Sequence, residues 1–182
     1  GRRRKRRRLF SKEPVFRSVR GQEVARLHEY QGKAILHKNG VSVPAGVVVA
    51  RGDSVDRELP VPAVVKAQAW TTGRYAQGLV QFAETPEEVW HQIEALHGRE
   101  VDGFPIDYVL VEERLEIARE YFFSYYIDDE RAEGRYLFAT VGGSGIEEIL
   151  SSDRSLWETG TVETVGPVRA HRGREVLRRT GL

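Results

Sequence analysis

The sequence predicts an α+β fold of small mixed or antiparallel sheets with helices on one face, between a basic extended N-terminal arm and a basic C-terminal tail. Short β-branched or aromatic runs alternate with two stretches that have helical spacing of apolar residues. Hydrophobic residues make up 40% and charged residues 30% of the 182 residues, which is the ordinary composition of a globular domain. A chain of this length can bury a core of its own.

The two predicted helices have clear ends. The first covers residues 24–39, because apolar residues recur three or four positions apart and Asn39-Gly40 is a typical C-terminal stop. The second opens at Thr85, where Thr85-Pro86-Glu87-Glu88 is a capping box with proline at the first helical position, and it ends at Gly98. The apolar stripes consist of Val24, Leu27, Tyr30, Ala34 and Ile35 in the first helix and of Val89, Ile93 and Leu96 in the second.

Six short runs are predicted to be strands, because they are rich in β-branched and aromatic residues and are bounded by turn residues. The last two are joined by the acidic turn 128–134, as in a hairpin. From Ile146 onward the pattern weakens, and residues 168–182 are predicted to form a short basic amphipathic helix. The six runs cover residues 47–49, 61–69, 79–83, 107–113, 119–127 and 135–141.

The net charge of +1 conceals an uneven distribution along the chain. Residues 1–26 hold 11 basic and 2 acidic residues, a net charge of +9, whereas residues 27–167 carry −12 and residues 168–182 carry +4. An acidic body between two basic ends indicates a polyanion that the ends contact. We divide the chain into an arm, a first subdomain, an incomplete second subdomain and a basic tail, which cover residues 1–23, 24–105, 106–167 and 168–182.

The composition excludes several classes of site. No cysteine is present, which excludes disulfides, thiolate metal sites and cysteine nucleophiles. The five histidines are scattered without metal-ligand spacing, so we expect no metal site. No apolar run reaches 18 residues, so we expect no membrane partner. The Arg-rich N-terminus lacks an apolar segment, which argues against a secretory signal and is compatible with the remainder of an organellar transit region.

Lys66 is the most informative single residue, because it interrupts the otherwise apolar strand VPAVVKAQA. Burying an ammonium costs several kcal/mol unless an anion meets it. One interpretation is therefore that Lys66 contacts a phosphate. The other is a lysine at the end of the sheet whose side chain reaches solvent.

Two further groups of polar residues follow predicted strands. Thr71, Thr72, Gly73 and Arg74 come directly after the Lys66 strand, where backbone N–H groups and a guanidinium suit phosphate oxygens. The same loop could equally be a solvated hairpin connection. The carboxylates at the next strand end could accept a ribose hydroxyl or an adenine amino group, or they could be a solvated acidic edge; they are Glu112, Glu113, Glu116 and Glu120.

Four segments together resemble the N-terminal ATP-grasp region of the succinyl-CoA synthetase (succinate–CoA ligase, ADP- or GDP-forming) β subunit. They are LHEYQGKAILHKNGVSVPAG (27–46), PAVVKAQA (62–69), VLVEERLEIAREY (109–121) and GIEEI (145–149). The resemblance implies a partial ATP-grasp fold, in which a nucleotide lies between two sheet-bearing subdomains. In that family the β subunit binds the nucleotide and magnesium, and phosphate passes to a histidine of the α subunit.

The resemblance also implies roles for five residues. Lys66 would contact the nucleotide phosphates, and Gly73 and Arg74 would match the loop that covers them. Glu112 would lie at the hinge against the adenine or ribose, and Glu120 would match a second glutamate that contacts the nucleotide.

Several departures from the family pattern argue against catalysis. Where the family loop reads HAGGRGKAGG, this chain reads WTTGRYAQGL, with Tyr75 in place of a glycine and Ala76 in place of the lysine. A bulky side chain is expected to block a close phosphate cradle. The family's STEGG glutamate is Val141, and the sequence ends before the family's Asn and Asp magnesium ligands. We therefore expect no catalytic residues, no metal and no cofactor.

The sequence thus favours a catalytically degenerate protein that serves as a structural, RNA-contacting subunit of a large assembly with neighbouring proteins. Ancestry in an organellar and bacterial enzyme points to a mitochondrial ribosome and to the mitochondrial matrix. The alternative is the nucleotide-binding part of an active succinate–CoA ligase, which would use ATP or GTP with Mg²⁺; binding without turnover is a third option. The residues expected to contact RNA are Arg2, Arg3, Arg4, Lys5, Arg6, Arg7, Arg8, Arg17 and Arg20.

Overall fold

The computed structural model describes residues 26–54, 58–143, 146, 148, 151, 153–163 and 170–182. The predictions for the basic arm and for the first residues of the tail lie outside the described residues. The chain divides into two compact units, Gly1–Leu115 and Glu116–Leu182, which we call the first unit and the second unit.

The first unit is built around a four-stranded antiparallel sheet. The elements of this unit are α1 (Glu29–Lys38), β1 (Gly46–Ala50), β2 (Ala63–Ala67), β3 (Val80–Ala83), α2 (Pro86–His97), β4 (Glu100–Val101), β5 (Phe104–Pro105) and β6 (Tyr108–Glu113). The strands of the sheet occur in the order β1-β6-β2-β3, and β4 and β5 form a separate short hairpin.

The two faces of this sheet differ in chemistry. Ala63, Val65 and Ala67 of β2 are fully buried and belong to one apolar cluster with Val89, Ile93 and Leu96 of α2. Because side chains alternate along a strand, the intervening positions of β2 lie on the opposite face. Those positions include Lys66, and helix α1 lies on that side of the sheet.

The second unit contains a three-stranded antiparallel sheet of order β7-β8-β9. Strands β7 (Phe122–Asp128) and β8 (Glu133–Ala139) form the hairpin predicted around the acidic turn, and β9 (Trp157–Val162) pairs with β8. A 3₁₀ turn precedes β9, and helix α3 (Ala170–Arg179) is the last helix of the described chain. The sequence does not predict strand β9, because WETGTV shows no alternation of apolar and polar residues. In the structure none of its positions is buried.

Several element boundaries differ from the predicted ones. Helix α1 begins at Glu29 rather than at residue 24, because the N–H of His28 donates to Oε1 of Gln31 at 2.8 Å and residues 26–28 are not helical. The terminal helix ends at Arg179. Strand β6, placed by sequence in the second subdomain, pairs with β1 and β2 at the centre of the first unit's sheet.

The fold class is therefore α+β with small antiparallel sheets, as predicted. The helices of the first unit lie on both faces of its sheet rather than on one. Within the described ranges, no helix is both long enough and apolar enough to cross a lipid bilayer.

Candidate functional site

Five charged side chains meet on the face of the first unit's sheet opposite the apolar core. We call Glu29, Lys33, Lys66, Arg74 and Glu112 the charge cluster. The register of the sheet explains part of it: Val64 pairs with Glu112, so Lys66, two positions further along β2, projects from the same face. Helix α1 contributes Glu29 and Lys33 from adjacent turns, and Arg74 comes from the loop after β2.

The charge cluster is closely connected. Nζ of Lys66 lies 2.9 Å from Oε1 of Glu29 and 2.8 Å from Oε2 of Glu112. Nζ of Lys33 lies 2.8 Å from Oε1 of Glu29 and 2.6 Å from Oε1 of Glu112. Nη2 of Arg74 lies 2.9 Å from Oε2 of Glu29. Three cations thus share two carboxylates, which leaves the cluster with a net charge of +1.

Burial makes these pairings consequential. Glu112 is only 1% exposed, so its carboxylate depends on the two lysines for stabilisation. Burial by itself would raise the pKa of Glu29, but the charges of Lys66 and Lys33 and their hydrogen bonds outweigh it and lower that pKa to about 2. Burial likewise opposes the charged form of Lys66, and Glu29 and Glu112 reverse this so that its pKa is raised. Glu29 and Lys66 are therefore both ionised at neutral pH.

These contacts resolve the local environment of Lys66. Its ammonium is neither directed freely to solvent nor left without an anion, because two carboxylates of the same unit hold it. Its contact with a nucleotide phosphate stays a prediction. Sequence reasoning missed Glu29 and Lys33, although their i, i+4 spacing within the predicted helix 24–39 is typical of an ion pair.

A surface pocket of about 570 Å³ adjoins the charge cluster. Its walls come from the segment before and at the start of α1 and from the segment after β2, and Glu29 and Arg74 belong to both the pocket and the cluster. The indole of Trp70 stacks on the imidazole of His28, with ring centroids 4.6 Å apart and planes inclined by 5°. Burial, assisted by the charge of Arg74, lowers the pKa of His28, which favours its neutral form.

The loop 71–78 is held in place by hydrogen bonds within the loop and from Arg99. The side-chain amide of Gln77 donates to the carbonyl oxygen of Thr72 at 2.7 Å, and Arg99 donates to the carbonyl oxygens of Gln77 and Gly78 at 2.9 Å. Gly73 has a φ of +63°, which favours glycine at this position. The loop is therefore ordered by protein contacts, and its role over phosphates stays a prediction.

Tyr75, which we expected to obstruct this loop, points elsewhere. Its ring meets Phe82 of β3 edge-on, with centroids 6.4 Å apart, and is 61% exposed. The phenol is not among the side chains that line the pocket. The Tyr75 ring therefore does not obstruct this pocket, and the expected block of a close phosphate cradle stays a prediction.

Glu120 belongs to the second unit, where it precedes β7. Its carboxylate lies against the Gly142-Gly143 turn, and a Cβ on Gly143 would come 2.5 Å from its Oε2. Contact of Glu120 with a nucleotide stays a prediction. The nine basic residues expected to contact RNA, from Arg2 to Arg20, lie outside the described residues.

The two carboxylates of the charge cluster do not suit a divalent cation. Both Glu29 and Glu112 face lysine ammonium groups. In the part of the chain that the structure describes, no three His, Cys, Asp or Glu side chains are grouped so as to hold a metal ion. We therefore assign no role to magnesium at the charge cluster.

The comparisons with known proteins define the class of this protein. A family model described as "ATP-grasp domain" matches residues 26–182, so the chain belongs to the ATP-grasp domain family. The solved structure of ATP citrate lyase from Methanothrix soehngenii supports the fold: it superposes with a TM-score of 0.51 at 19% identity, over 68% of this chain and 29% of that one.

Curated relatives narrow the resemblance to one kind of subunit. The chain is 35% identical over 159 residues to the succinate–CoA ligase [ADP-forming] β subunit of Ignicoccus hospitalis, and 38% identical over 133 residues to that of Methanocaldococcus jannaschii. It is 32% identical over 159 residues to the [GDP-forming] β subunit of Thermus thermophilus. These matches cover 86%, 70% and 86% of this chain and 42%, 35% and 42% of the relatives, respectively. The predicted resemblance is confirmed, and the chain spans about two fifths of the length of those relatives.

Proposed function

We propose that the first unit binds a nucleoside triphosphate, as the nucleotide-binding part of a protein similar to the succinate–CoA ligase β subunit. The observation that carries this proposal is that Lys66 and Arg74 both pair with Glu29 beside the pocket, and that Lys66 also pairs with Glu112. Three residues that the family resemblance assigns to the nucleotide come from two strands and a loop, and the fold brings them to one side of the sheet.

The chemistry of the charge cluster suits a polyphosphate. The net charge of +1 attracts an anion, the ammonium of Lys66 supplies a point charge, and the guanidinium of Arg74 can donate two parallel hydrogen bonds. Glu112 keeps Lys66 ionised and in place from the buried side. We propose binding rather than turnover, because Ala76 replaces the family's loop lysine.

Calorimetric titration of the full chain with ATP, with and without magnesium, tests this proposal. We expect Lys66→Met to weaken binding about tenfold or more, since it removes a charge that meets the phosphates. Lys38→Met removes the same charge from the exposed end of α1 and should leave the affinity unchanged.

Arg74→Gln, with the exposed Arg51→Gln as its control, repeats the test without altering a strand. The proposal fails if the folded native chain does not bind millimolar ATP, or if Lys66→Met and Lys38→Met bind it equally well. Release of ADP and phosphate in the same assay would overturn binding without turnover and favour an active ligase part.

A second candidate function is the anchoring of RNA within a large assembly, such as a mitochondrial ribosome in the matrix. The seven consecutive basic residues from Arg2 to Arg8 favour it, because such a run binds phosphates in a salt-dependent manner. Native protein should then comigrate with a large RNA peak in a sucrose gradient and leave it after ribonuclease treatment. Migration as a small particle that ribonuclease does not alter would contradict this candidate.

A further inference from the structure

We propose that Glu29 is an internal counter-anion, whose carboxylate occupies the place of a phosphate between Lys66 and Arg74 and is displaced when a polyphosphate binds. This inference rests on the proposed nucleotide-binding function. It makes the native site self-inhibited, since every ligand phosphate must compete with a carboxylate already in position.

The contacts of Glu29 are those expected of a bound anion. Its Oε1 accepts from Lys66 at 2.9 Å and pairs with Lys33 at 2.8 Å, while its Oε2 accepts from Nη2 of Arg74 at 2.9 Å. A phosphate group likewise offers several oxygens to an ammonium and a guanidinium at once. Glu29 therefore pairs with both of the cations that the proposed function assigns to phosphates.

The two carboxylates of the charge cluster differ in how readily they can leave. Glu112 lies within β6, which pairs with β1 and β2 on its two sides, and its side chain is 2% exposed. Glu29 is the first residue of α1, its side chain is 20% exposed, and it forms part of the pocket wall. A side-chain rotation can carry the Glu29 carboxylate towards the pocket, whereas Glu112 is buried and is not among the residues that line the pocket.

The charge balance gives the direction of the effect. With Glu29 in place, three cations face two carboxylates; without its charge, they face Glu112 alone and the net charge rises from +1 to +2. Glu112 still pairs with Lys66 and Lys33, so these two cations remain held in place. We therefore expect neutralisation of Glu29 to strengthen polyphosphate binding about tenfold or more, a usual size for coupling between two ligands.

The experiment titrates inorganic tripolyphosphate and ATP into the native chain, Glu29→Gln and Glu94→Gln at low salt and neutral pH. Glu94 lies on the exposed side of α2, so its substitution removes the same charge from the same unit without touching the cluster. We expect Glu29→Gln to bind tripolyphosphate at least about tenfold more tightly than the native chain, and Glu94→Gln to match the native chain.

The outcomes separate this inference from the proposed function. If the native chain binds and Glu29→Gln binds equally or less tightly, the inference is overturned and nucleotide binding stands. If only Glu29→Gln binds, the inference is supported and binding by the native chain is overturned. If neither binds, both are overturned. Should Glu29→Gln fail to fold, the carboxyl carbon resonance of Glu29 in the native chain should shift on saturation with tripolyphosphate, and an unmoved resonance would sink the inference.

Discussion

The two units of this chain differ in what their sheets cover. In the first unit, an apolar cluster is buried between α2 and one face of the sheet, and the charge cluster lies between α1 and the other face. Among the described residues of the second unit, only Ala139 and Ile146 are buried apolar residues, while Phe123, Tyr125 and Ile127 of β7 are exposed. The comparison indicates that the first unit supplies most of the stability that the described residues provide, together with the proposed binding chemistry.

Truncation of one core residue should produce the largest difference between the units. Leu96→Ala removes a fully buried side chain under the first sheet and is expected to lower the free energy of unfolding by about 4 kcal/mol. Phe123→Ala in the second unit removes a ring that is 66% exposed and should change it by less than about 0.5 kcal/mol. Urea denaturation followed by circular dichroism measures both, and equal losses would contradict the comparison.

Neutralising one carboxylate in each unit should likewise destabilise the chain more when the carboxylate belongs to the first unit. Glu112→Gln leaves the lysines of the charge cluster with one carboxylate in a buried setting and is expected to cost about 3 kcal/mol. Asp128→Asn, at the end of β7, removes an acid that pairs with Arg131 and Arg135 and should leave the urea midpoint nearly unchanged. A larger midpoint shift for Asp128→Asn than for Glu112→Gln would contradict the conclusion that the first unit supplies most of the stability.

Acid titration should reveal the charge cluster directly. The pKa of Glu29 is lowered from 4.5 to about 2 in the folded chain, so its contribution is present above pH 4.5 and is lost as the pH falls through 2. The shift corresponds to about 3 kcal/mol. Stability of the native chain should therefore fall over this window more steeply than that of Glu29→Gln. Glu94→Gln should follow the native chain, and identical slopes for all three would refute the role of Glu29.

The smallest effect is expected at the N-terminus of α2. The hydroxyl of Thr85 accepts a hydrogen bond from the N–H of Glu88 at 3.2 Å, so Thr85→Ala should cost about 1 kcal/mol. Thr85→Ser retains the acceptor and serves as the control. A loss of the same size in Thr85→Ser would show that packing of the methyl group, and not the cap, is responsible.

Local signals predicted the elements that carry them. The capping box at Thr85 predicted the start of α2, and the runs rich in β-branched and apolar residues VPAVVKAQA and DYVLVEE predicted β2 and β6. The sequence does not predict β4, β5 or β9, because two-residue strands are too short to show a pattern and no position of β9 is buried.

The charge cluster could be predicted only in part. Lys66, Arg74 and Glu112 follow from the family resemblance. Glu29, which pairs with Lys66 and Arg74, lies 37 positions from Lys66 in sequence, and Lys33 lies 79 positions from its partner Glu112. Contacts over such separations depend on how α1 crosses the sheet, which no local pattern specifies. The packing of the Tyr75 ring against Phe82 could not be predicted for the same reason.

Hydrogen exchange of the full chain with and without ATP tests the central claim most directly, because it reports on each unit separately. We expect ATP to slow exchange in the backbone of β2, of the loop 71–78 and of the first turn of α1, and to leave β7 and β8 unchanged. Slower exchange confined to the second unit, or no change in the first unit at saturating ATP, would contradict the claim that the charge cluster is the nucleotide-binding site.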